Sequence, residues 1–110
     1  MVKFSQYFSL SLLLFIFGST EANFHISNVF GNHMVLQRNT PNPLWGWTTN
    51  PSTMVTVLYL GNTYNTTSSS TDGFWKVTLP STPGSFTPLT IVASVPSTGE
   101  SQTLVDVLIG

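Results

Sequence analysis

Residues 54–79, MVTVLYLGNTYNTTSSSTDGFWKVTL, contain a strand-like run, a turn signal, a returning run, a second turn signal and a third run. The first run is rich in β-branched and aromatic residues, which strands favour. Its residues alternate, so that Val55, Val57 and Tyr59 share one face. The Gly61-Asn62 dipeptide predicts a two-residue hairpin turn between the first two runs. This stretch therefore predicts antiparallel β-structure.

The returning run, residues 63–67, is polar at nearly every position, which is typical of an edge strand or of a solvated face. The Asp72-Gly73 dipeptide predicts the next turn, in which the Asp72 side chain bonds its own backbone. The third run alternates between two faces, and its predicted core face carries Trp75, Val77 and Leu79. The pattern thus indicates a polar edge beside a well-filled core.

Similar strand-like runs lie on both sides of this stretch, at residues 24–27, 34–37, 44–47, 86–95 and 103–109. The glycine inside residues 44–47 indicates a bulge or a close approach by another backbone. Residues 103–109 are apolar on both predicted faces, which is typical of a strand covered on both sides. No run from residue 23 onward has a helical apolar period. The sequence therefore predicts an all-β fold, an immunoglobulin-like Greek-key β-sandwich of seven or eight short strands.

The first 22 residues have the features of a signal peptide. Lys3 supplies a positive charge, residues 8–17 (FSLSLLLFIF) are apolar, and small residues near Ala22 suit cleavage before Asn23. The alternative is an uncleaved anchor, but a membrane-spanning helix needs about 20 apolar residues, roughly twice this run. We therefore expect a signal peptide at 1–22, a β domain at 23–110, no stable membrane anchor, and a secreted protein or one in the lysosomal or endomembrane lumen.

Composition excludes several classes of function. Only 6% of residues are charged and the net charge is −1, so the chain lacks the basic stripe that nucleic-acid binding requires. Cysteine is absent, which excludes disulfides, thiol nucleophiles and cysteine-ligated zinc. Without disulfides, a domain of this size depends on aromatic packing or on docking against another domain. The aromatic residues expected to supply that packing are Trp45, Trp47, Trp75, Phe74 and Phe86.

The polar residues do not form a recognisable catalytic or metal-binding motif. His25 and His33 fit surface or capping positions better than a zinc site, which needs three or four ligands. No serine occupies a Gly-x-Ser-x-Gly elbow and no phosphate-binding glycine loop is present. We therefore predict no catalytic residue, no metal site and no cofactor.

Asp106 lies among apolar neighbours in residues 103–109, and a carboxylate in that position needs a partner. One interpretation is a hydrogen bond at the end of a strand. The other is an ion pair with Arg38, or with a domain docked against this one. Arg38 and Asp106 are accordingly the candidate docking residues.

Two further features concern carbohydrate. Exposed tryptophans stack on sugar rings, so Trp45 and Trp47 are candidate glycan-stacking residues. Trp75 alternates in phase with the predicted core residues Val77 and Leu79. The alternative is that all three tryptophans are core residues. Asn65-Thr66-Thr67 is a glycosylation sequon that predicts a glycan on Asn65, whereas the proline in Asn50-Pro51-Ser52 blocks a second one. A free-standing carbohydrate-binding or structural module is therefore one hypothesis.

A family resemblance supplies another hypothesis. Parts of the chain resemble the sialate O-acetylesterase family, in this order: FGNHMVLQR (30–38), PLWGW (43–47), VTV (55–57), DGFWKVTLP (72–80), LTI (89–91) and LVDVLIG (104–110). The combination of MVLQR with WGW is the most specific part. The chain departs from the family at residues 50–53, which stand where a Pro-Gly turn is usual.

The resemblance implies a β-sandwich that precedes a larger α/β esterase domain of the SGNH-hydrolase type. In that family the esterase domain removes O-acetyl groups from sialic acids with a serine nucleophile assisted by histidine and aspartate. The nucleophile belongs to a Gly-Gln-Ser-Asn type motif that follows the segment matching residues 104–110, and it is not in this sequence. The resemblance therefore implies a non-catalytic fragment whose partner is the esterase domain of the same protein.

Overall fold

The computed structural model describes residues 23–110, which form strands, turns and loops and contain no helix. The predicted signal peptide, residues 1–22, lies outside the described residues. The strands are β1 (His25–Ile26), β2 (Val35–Leu36), β3 (Asn42–Trp47), β4 (Met54–Tyr59), β5 (Asn62–Thr67), β6 (Phe74–Leu79), β7 (Ser85–Val95) and β8 (Glu100–Ile109). Because residues 23–110 include no helix, this part of the chain has none that would cross a membrane.

The eight strands form two sheets, with the orders β1-β3-β6 and β2-β8-β7-β4-β5. All pairs are antiparallel except β2 with β8, in which Val35 pairs with Leu108 and Leu36 with Ile109. Consecutive strands change sheets except in the β4–β5 and β7–β8 hairpins, and such crossings between sheets are typical of immunoglobulin-like sandwiches. The predicted fold class is confirmed.

The core lies between the two sheets and follows the alternation seen in the sequence. Trp75, Val77 and Leu79 of β6 are buried, as predicted, and so are Val55, Val57 and Tyr59 of β4. Trp75 stacks on Phe24, with 6.0 Å between ring centroids. Further buried side chains are Ile26, Leu36, Leu44, Ile91, Ala93, Val95, Leu104, Val107 and Ile109.

The glycine within β3 marks a close approach between two backbones, which is one of the two alternatives that the sequence predicted. Gly46 pairs with Ile26 of β1. A Cβ atom at Gly46 would lie only 2.0 Å from the carbonyl oxygen of His25. Glycine at this position is what allows β1 to join the three-stranded sheet.

The hairpin turn is one residue earlier than predicted. Tyr59 pairs with Asn62, so the two turn residues are Leu60 and Gly61. Both have positive φ, 51° and 77°, as this class of turn requires. Gly61 occupies the second turn position, and Asn62 becomes the first residue of β5. The predicted edge position of the polar strand is confirmed, because β5 is the last strand of its sheet.

Of the five aromatic residues expected to supply packing, only Trp75 is buried in the core between the sheets. Phe86 is fully exposed and Phe74 is partly exposed, whereas Phe24 and Tyr59 are buried instead. Phe86 lies in the part of β7 where the pairing with β8 shifts register, between Ser85 and Leu89. That irregularity carries Phe86 away from the region between the sheets.

Residues 103–109 were expected to be covered on both sides, but the apolar pattern of β8 comes from an irregularity within the strand. From Leu89 to Ile91, β7 advances by two residues, while its partners on β8 change from Val107 to Leu104, a separation of three. The extra residue on β8 is a β-bulge, which moves the inward positions from one phase of the alternation to the other. As a result Leu104, Val107 and Ile109 are all buried. Most of the apolar residues therefore face one core, and Val105 is the large apolar residue of β8 that stays exposed.

Candidate functional site

The outer surface of the three-stranded sheet carries a row of aromatic side chains from three strands. His25 pairs with Trp47, and Trp47 pairs with Phe74, so all three point to the same side of the sheet. The rings of His25 and Trp47 are stacked, with centroids 5.3 Å apart. The Trp47 and Phe74 rings meet edge to face at 5.9 Å. We call His25, Trp47 and Phe74 the aromatic row.

An open groove of about 470 Å³ borders one end of this row. Its walls are His25 and Trp47 together with two loops that contribute Thr48, Thr49, Pro51, Thr71, Asp72 and Gly73. Its volume lies within the range typical of small-ligand sites, and its lining combines an aromatic surface with a few polar groups, as such sites do. Phe74 is not part of the lining and extends the aromatic surface beside it.

Internal hydrogen bonds hold the two loops of the groove in place. The backbone N–H of Thr48 donates to the carbonyl oxygen of Gly73 at 2.9 Å. The buried Thr48 hydroxyl lies 2.8 Å from the hydroxyl of Ser68. Gly73 has a φ of 76°, and a Cβ there would lie 2.9 Å from the Thr48 carbonyl oxygen. These contacts pre-form the groove, and they require glycine at position 73.

A second network supports the groove from the side of Thr49. The Thr49 hydroxyl donates to Glu100 Oε2 at 2.8 Å, and the Thr98 hydroxyl donates to Glu100 Oε1 at 2.8 Å. The backbone N–H of Phe24 donates to the Thr49 oxygen at 3.0 Å. The hydrogen bonds from Thr98, Thr49 and the Phe24 backbone lower the pKa of Glu100, because they stabilise its charged form.

Asp72 and His25, two polar residues of the groove, each have a hydrogen-bonding atom that has no partner within residues 23–110. Asp72 Oδ1 accepts the Phe74 N–H at 3.1 Å, which confirms the predicted bond to its own turn, while Oδ2 makes no hydrogen bond within residues 23–110. His25 Nδ1 lies 2.9 Å from the carbonyl oxygen of Asn23 and therefore donates to it. In that tautomer Nε2 is an acceptor.

The two candidate glycan-stacking residues have different surroundings. Trp45 and Trp47 lie two residues apart on the outer face of β3 and are both half-buried, so neither belongs to the core between the sheets. Phe30 packs edge to face on Trp45, with ring centroids 4.6 Å apart. Only Trp47 of the two lines the groove. Sequence reasoning singled out Trp47 but missed His25 and Phe74, although the alternation of residues in β1 and β6 placed both side chains on the outward face.

The second exposed feature is an apolar surface at the end of β8, which we call the C-terminal patch and define as Val35, Arg38, Phe86, Leu108 and Gly110. These residues line a shallow hollow of about 280 Å³ together with Gly84, Ser85 and Ile109. Val35 and Phe86 are 62% and 101% exposed. An exposed apolar surface of this kind is typical of an interaction site.

Arg38 is anchored within the C-terminal patch. Its backbone N–H donates to the carbonyl oxygen of Gly110 at 3.0 Å. Its side chain lies across Gly84, where an added Cβ would be 2.9 Å from the guanidinium carbon. The side chain is exposed and forms no ion pair within residues 23–110.

The predicted ion pair between Asp106 and Arg38 was wrong, whereas a contact of Asp106 with a docked domain stays a prediction. The carboxylate binds His33 instead, with 2.6 Å between His33 Nδ1 and Asp106 Oδ2. The β8 bulge turns Asp106 outward with a φ of 57°, so its side chain lies beside the loop that carries His33. The same bulge explains how a carboxylate fits among apolar neighbours without burial.

Asn65 is exposed on the edge strand β5. Its Oδ1 accepts a hydrogen bond from the Thr56 hydroxyl at 3.0 Å, while its Nδ2 makes no hydrogen bond within the described residues. Across residues 23–110 no group of three or more His, Asp or Glu side chains is arranged to hold a metal ion.

Among solved structures, the fold is similar to part of a carbohydrate acetylesterase from Xanthomonas citri. The TM-score is 0.70 and the sequence identity is 29%, over 79% of this chain and 19% of that chain. This chain is similar to one part of a carbohydrate esterase. It spans about a fifth of the length of that enzyme. No protein-family model matches the chain, and no curated protein matches it.

Proposed function

We propose that this chain is a non-catalytic β-sandwich domain of a secreted carbohydrate esterase, and that it supports a separate catalytic domain. The observation that carries the proposal is the similarity to the acetylesterase, which extends over 79% of this chain but only 19% of that one. The remainder of that enzyme is large enough to contain its catalytic machinery. The absence of a nucleophile motif from this sequence agrees with a supporting role.

The C-terminal patch is the surface that we assign to the catalytic domain. Phe86 and Val35 expose large apolar areas, and burying them against a second domain is favourable by about 25 cal/mol per Å². Arg38 lies beside them with a fixed backbone and an exposed guanidinium, which suits a charge-assisted hydrogen bond to a carboxylate or carbonyl of the docked domain.

We infer further that the catalytic domain is of the sialate O-acetylesterase type and removes O-acetyl groups from sialic acids. The support for this finer proposal is the resemblance of the segments FGNHMVLQR (30–38) and PLWGW (43–47) to that family. The first segment includes Val35 and Arg38 of the C-terminal patch, so the most specific part of the resemblance coincides with the proposed docking surface.

The reading frame beyond the codon for Gly110 provides the first test. A frame that continues into an α/β segment with a Gly-x-Ser nucleophile motif supports the proposal, and a stop codon directly after Gly110 overturns it. The purified full product is then assayed with 4-methylumbelliferyl acetate and with O-acetylated sialic acid. Hydrolysis of the first substrate alone supports an esterase but contradicts the sialate type.

The docking role is tested in the same full product with Phe86→Ser and Arg38→Ala. Both variants should lower the melting temperature of the product and its esterase activity, because each removes a contact between the domains. Met54→Ser is the matched control, since Met54 is also an exposed apolar residue but lies on β4, outside the C-terminal patch. Equal effects of the three substitutions would contradict the assigned surface.

A further inference from the structure

We infer that the groove beside Trp47 is a binding site for neutral sugars, and that Asp72 makes it discriminate against anionic ones. This inference does not depend on the proposed function, because it concerns the opposite sheet from β2, β7 and β8, which carry the C-terminal patch. The proposed sugar site comprises Trp47, His25 and Asp72 and does not include Trp45.

The geometry of the groove favours a sugar ring. A pyranose has an apolar face of C–H groups and a rim of hydroxyls, so its site needs an aromatic surface beside hydrogen-bonding groups. The stacked rings of His25 and Trp47 supply the aromatic surface. Asp72 and His25 are on the same lining, and Asp72 Oδ2 and His25 Nε2 are acceptors that the described residues leave for hydroxyls. A carboxylate that accepts a hydroxyl forms one of the stronger classes of hydrogen bond.

The polar lining also distinguishes a sugar from a protein partner. The core of a protein–protein interface is depleted of charged residues, whereas Asp72 and several threonines lie next to Trp47 on the groove side. The loops are already held by the hydrogen bonds of Thr48 to Ser68 and Gly73, so a small ligand does not have to order them.

The charge of the groove determines which sugars it accepts. Within residues 23–110, Asp72 is the one acidic residue that lines the groove, and no lysine or arginine lines it. A sialic acid brings a carboxylate close to Asp72, where like charges repel without a lysine or arginine to compensate. Lys76 pairs with Trp45, one row farther along the sheet, and does not line the groove. Neutral hexoses and pentoses meet no such repulsion.

The test uses the full chain and four probes: lactose, xylobiose, diacetylchitobiose and sialyllactose. Binding is measured by isothermal titration and by tryptophan fluorescence. We expect saturable, millimolar binding of at least one neutral disaccharide and clearly weaker binding of sialyllactose. No saturable binding of any neutral probe would overturn the inference, and sialyllactose binding as tight as that of the best neutral probe would overturn the assigned charge selection.

Variants locate the site. Asp72→Asn retains the oxygen that accepts the Phe74 N–H, so the turn persists, while affinity should fall by about tenfold with the loss of one charge-assisted hydrogen bond. Trp47→Leu should abolish binding. Trp45→Leu is the matched control on the same strand and face, and should retain it. Melting temperatures measured in parallel separate loss of folding from loss of the site. Unchanged affinity in folded Asp72→Asn and Trp47→Leu would place binding elsewhere and overturn the inference.

Discussion

His33 Nδ1 and Asp106 Oδ2 are 2.6 Å apart, and both residues have left-handed backbone, with φ of 66° and 57°. Two hydrogen bonds to the backbone of Val105 lie beside this contact. Asn32 Oδ1 accepts the N–H of Val105 at 2.9 Å, and the N–H of His33 donates to the Val105 carbonyl at 3.0 Å. The loop before β2 is thereby fastened to the bulge of β8. This arrangement holds the parallel β2–β8 pair in register.

Substitution of Asp106 should separate the effect of backbone strain from that of the side-chain contact with His33. Asp106→Asn keeps a residue that tolerates positive φ, and the exposed pair with His33 contributes no more than about 1 kcal/mol. Asp106→Val forces a β-branched residue into the same conformation, which costs roughly 1–2 kcal/mol more. The free energy of unfolding in urea should therefore fall clearly more for valine than for asparagine. Equal losses would show that the bulge does not require a residue suited to positive φ.

Gly46→Ala should be among the most destabilising substitutions in the domain. The new Cβ would lie 2.0 Å from the His25 carbonyl oxygen, and the three nearest atoms are all backbone atoms of β1, which restricts relief. We expect a loss of about 3 kcal/mol or more, the upper end for overpacking, together with detachment of β1. Gly31→Ala is the control, because nothing lies within 4 Å of its added Cβ. Thermal unfolding of both variants checks the contrast; similar melting temperatures would contradict it.

The hydrogen bonds to Glu100 predict a pH dependence of stability. Its folded pKa is lower than the ordinary value of 4.5, mainly because the Thr98 and Thr49 hydroxyls donate to the carboxylate. The stabilising contribution is thus fully present above that ordinary value and is lost as the pH falls through the folded pKa. Urea unfolding from pH 7 to pH 3 should show wild type more stable than Glu100→Gln at neutral pH, with the difference vanishing in acid. A difference that stays constant with pH would exclude this linkage.

Asn65 should carry a glycan when the full chain is expressed in secretory eukaryotic cells. Nδ2, the atom that bears the sugar, makes no hydrogen bond within the described residues, and β5 is an uncovered edge. Thr67→Ala removes the sequon and should remove the mobility shift that N-glycosidase F reverses. Thr66→Ala leaves the sequon intact and should keep the shift. Wild-type protein without any such shift would show that Asn65 is not modified.

The positions of the strands could largely be predicted from the sequence, because alternation records which side of each strand is buried. In β6, Trp75 is buried as predicted, and in β4 the face predicted to carry Val55 and Tyr59 together is the buried one. The close approach at Gly46 was one of two alternatives that the sequence left open, the other being a bulge. The amino-acid sequence by itself thus determined the all-β class, the polar edge strand and the low charge on which the prediction of no nucleic-acid binding rests.

Tertiary structure alone decided the features that depend on register and on contacts between distant segments. The bulge at Asp106 reverses the alternation of β8, and no local pattern reveals where a bulge falls. The pairing of His33 with Asp106, the exposure of Phe86 and the alignment of His25, Trp47 and Phe74 across three strands each depend on how separate segments are placed beside one another. Side-chain periodicity specifies the face of a strand, but only the packed sheets specify its neighbours.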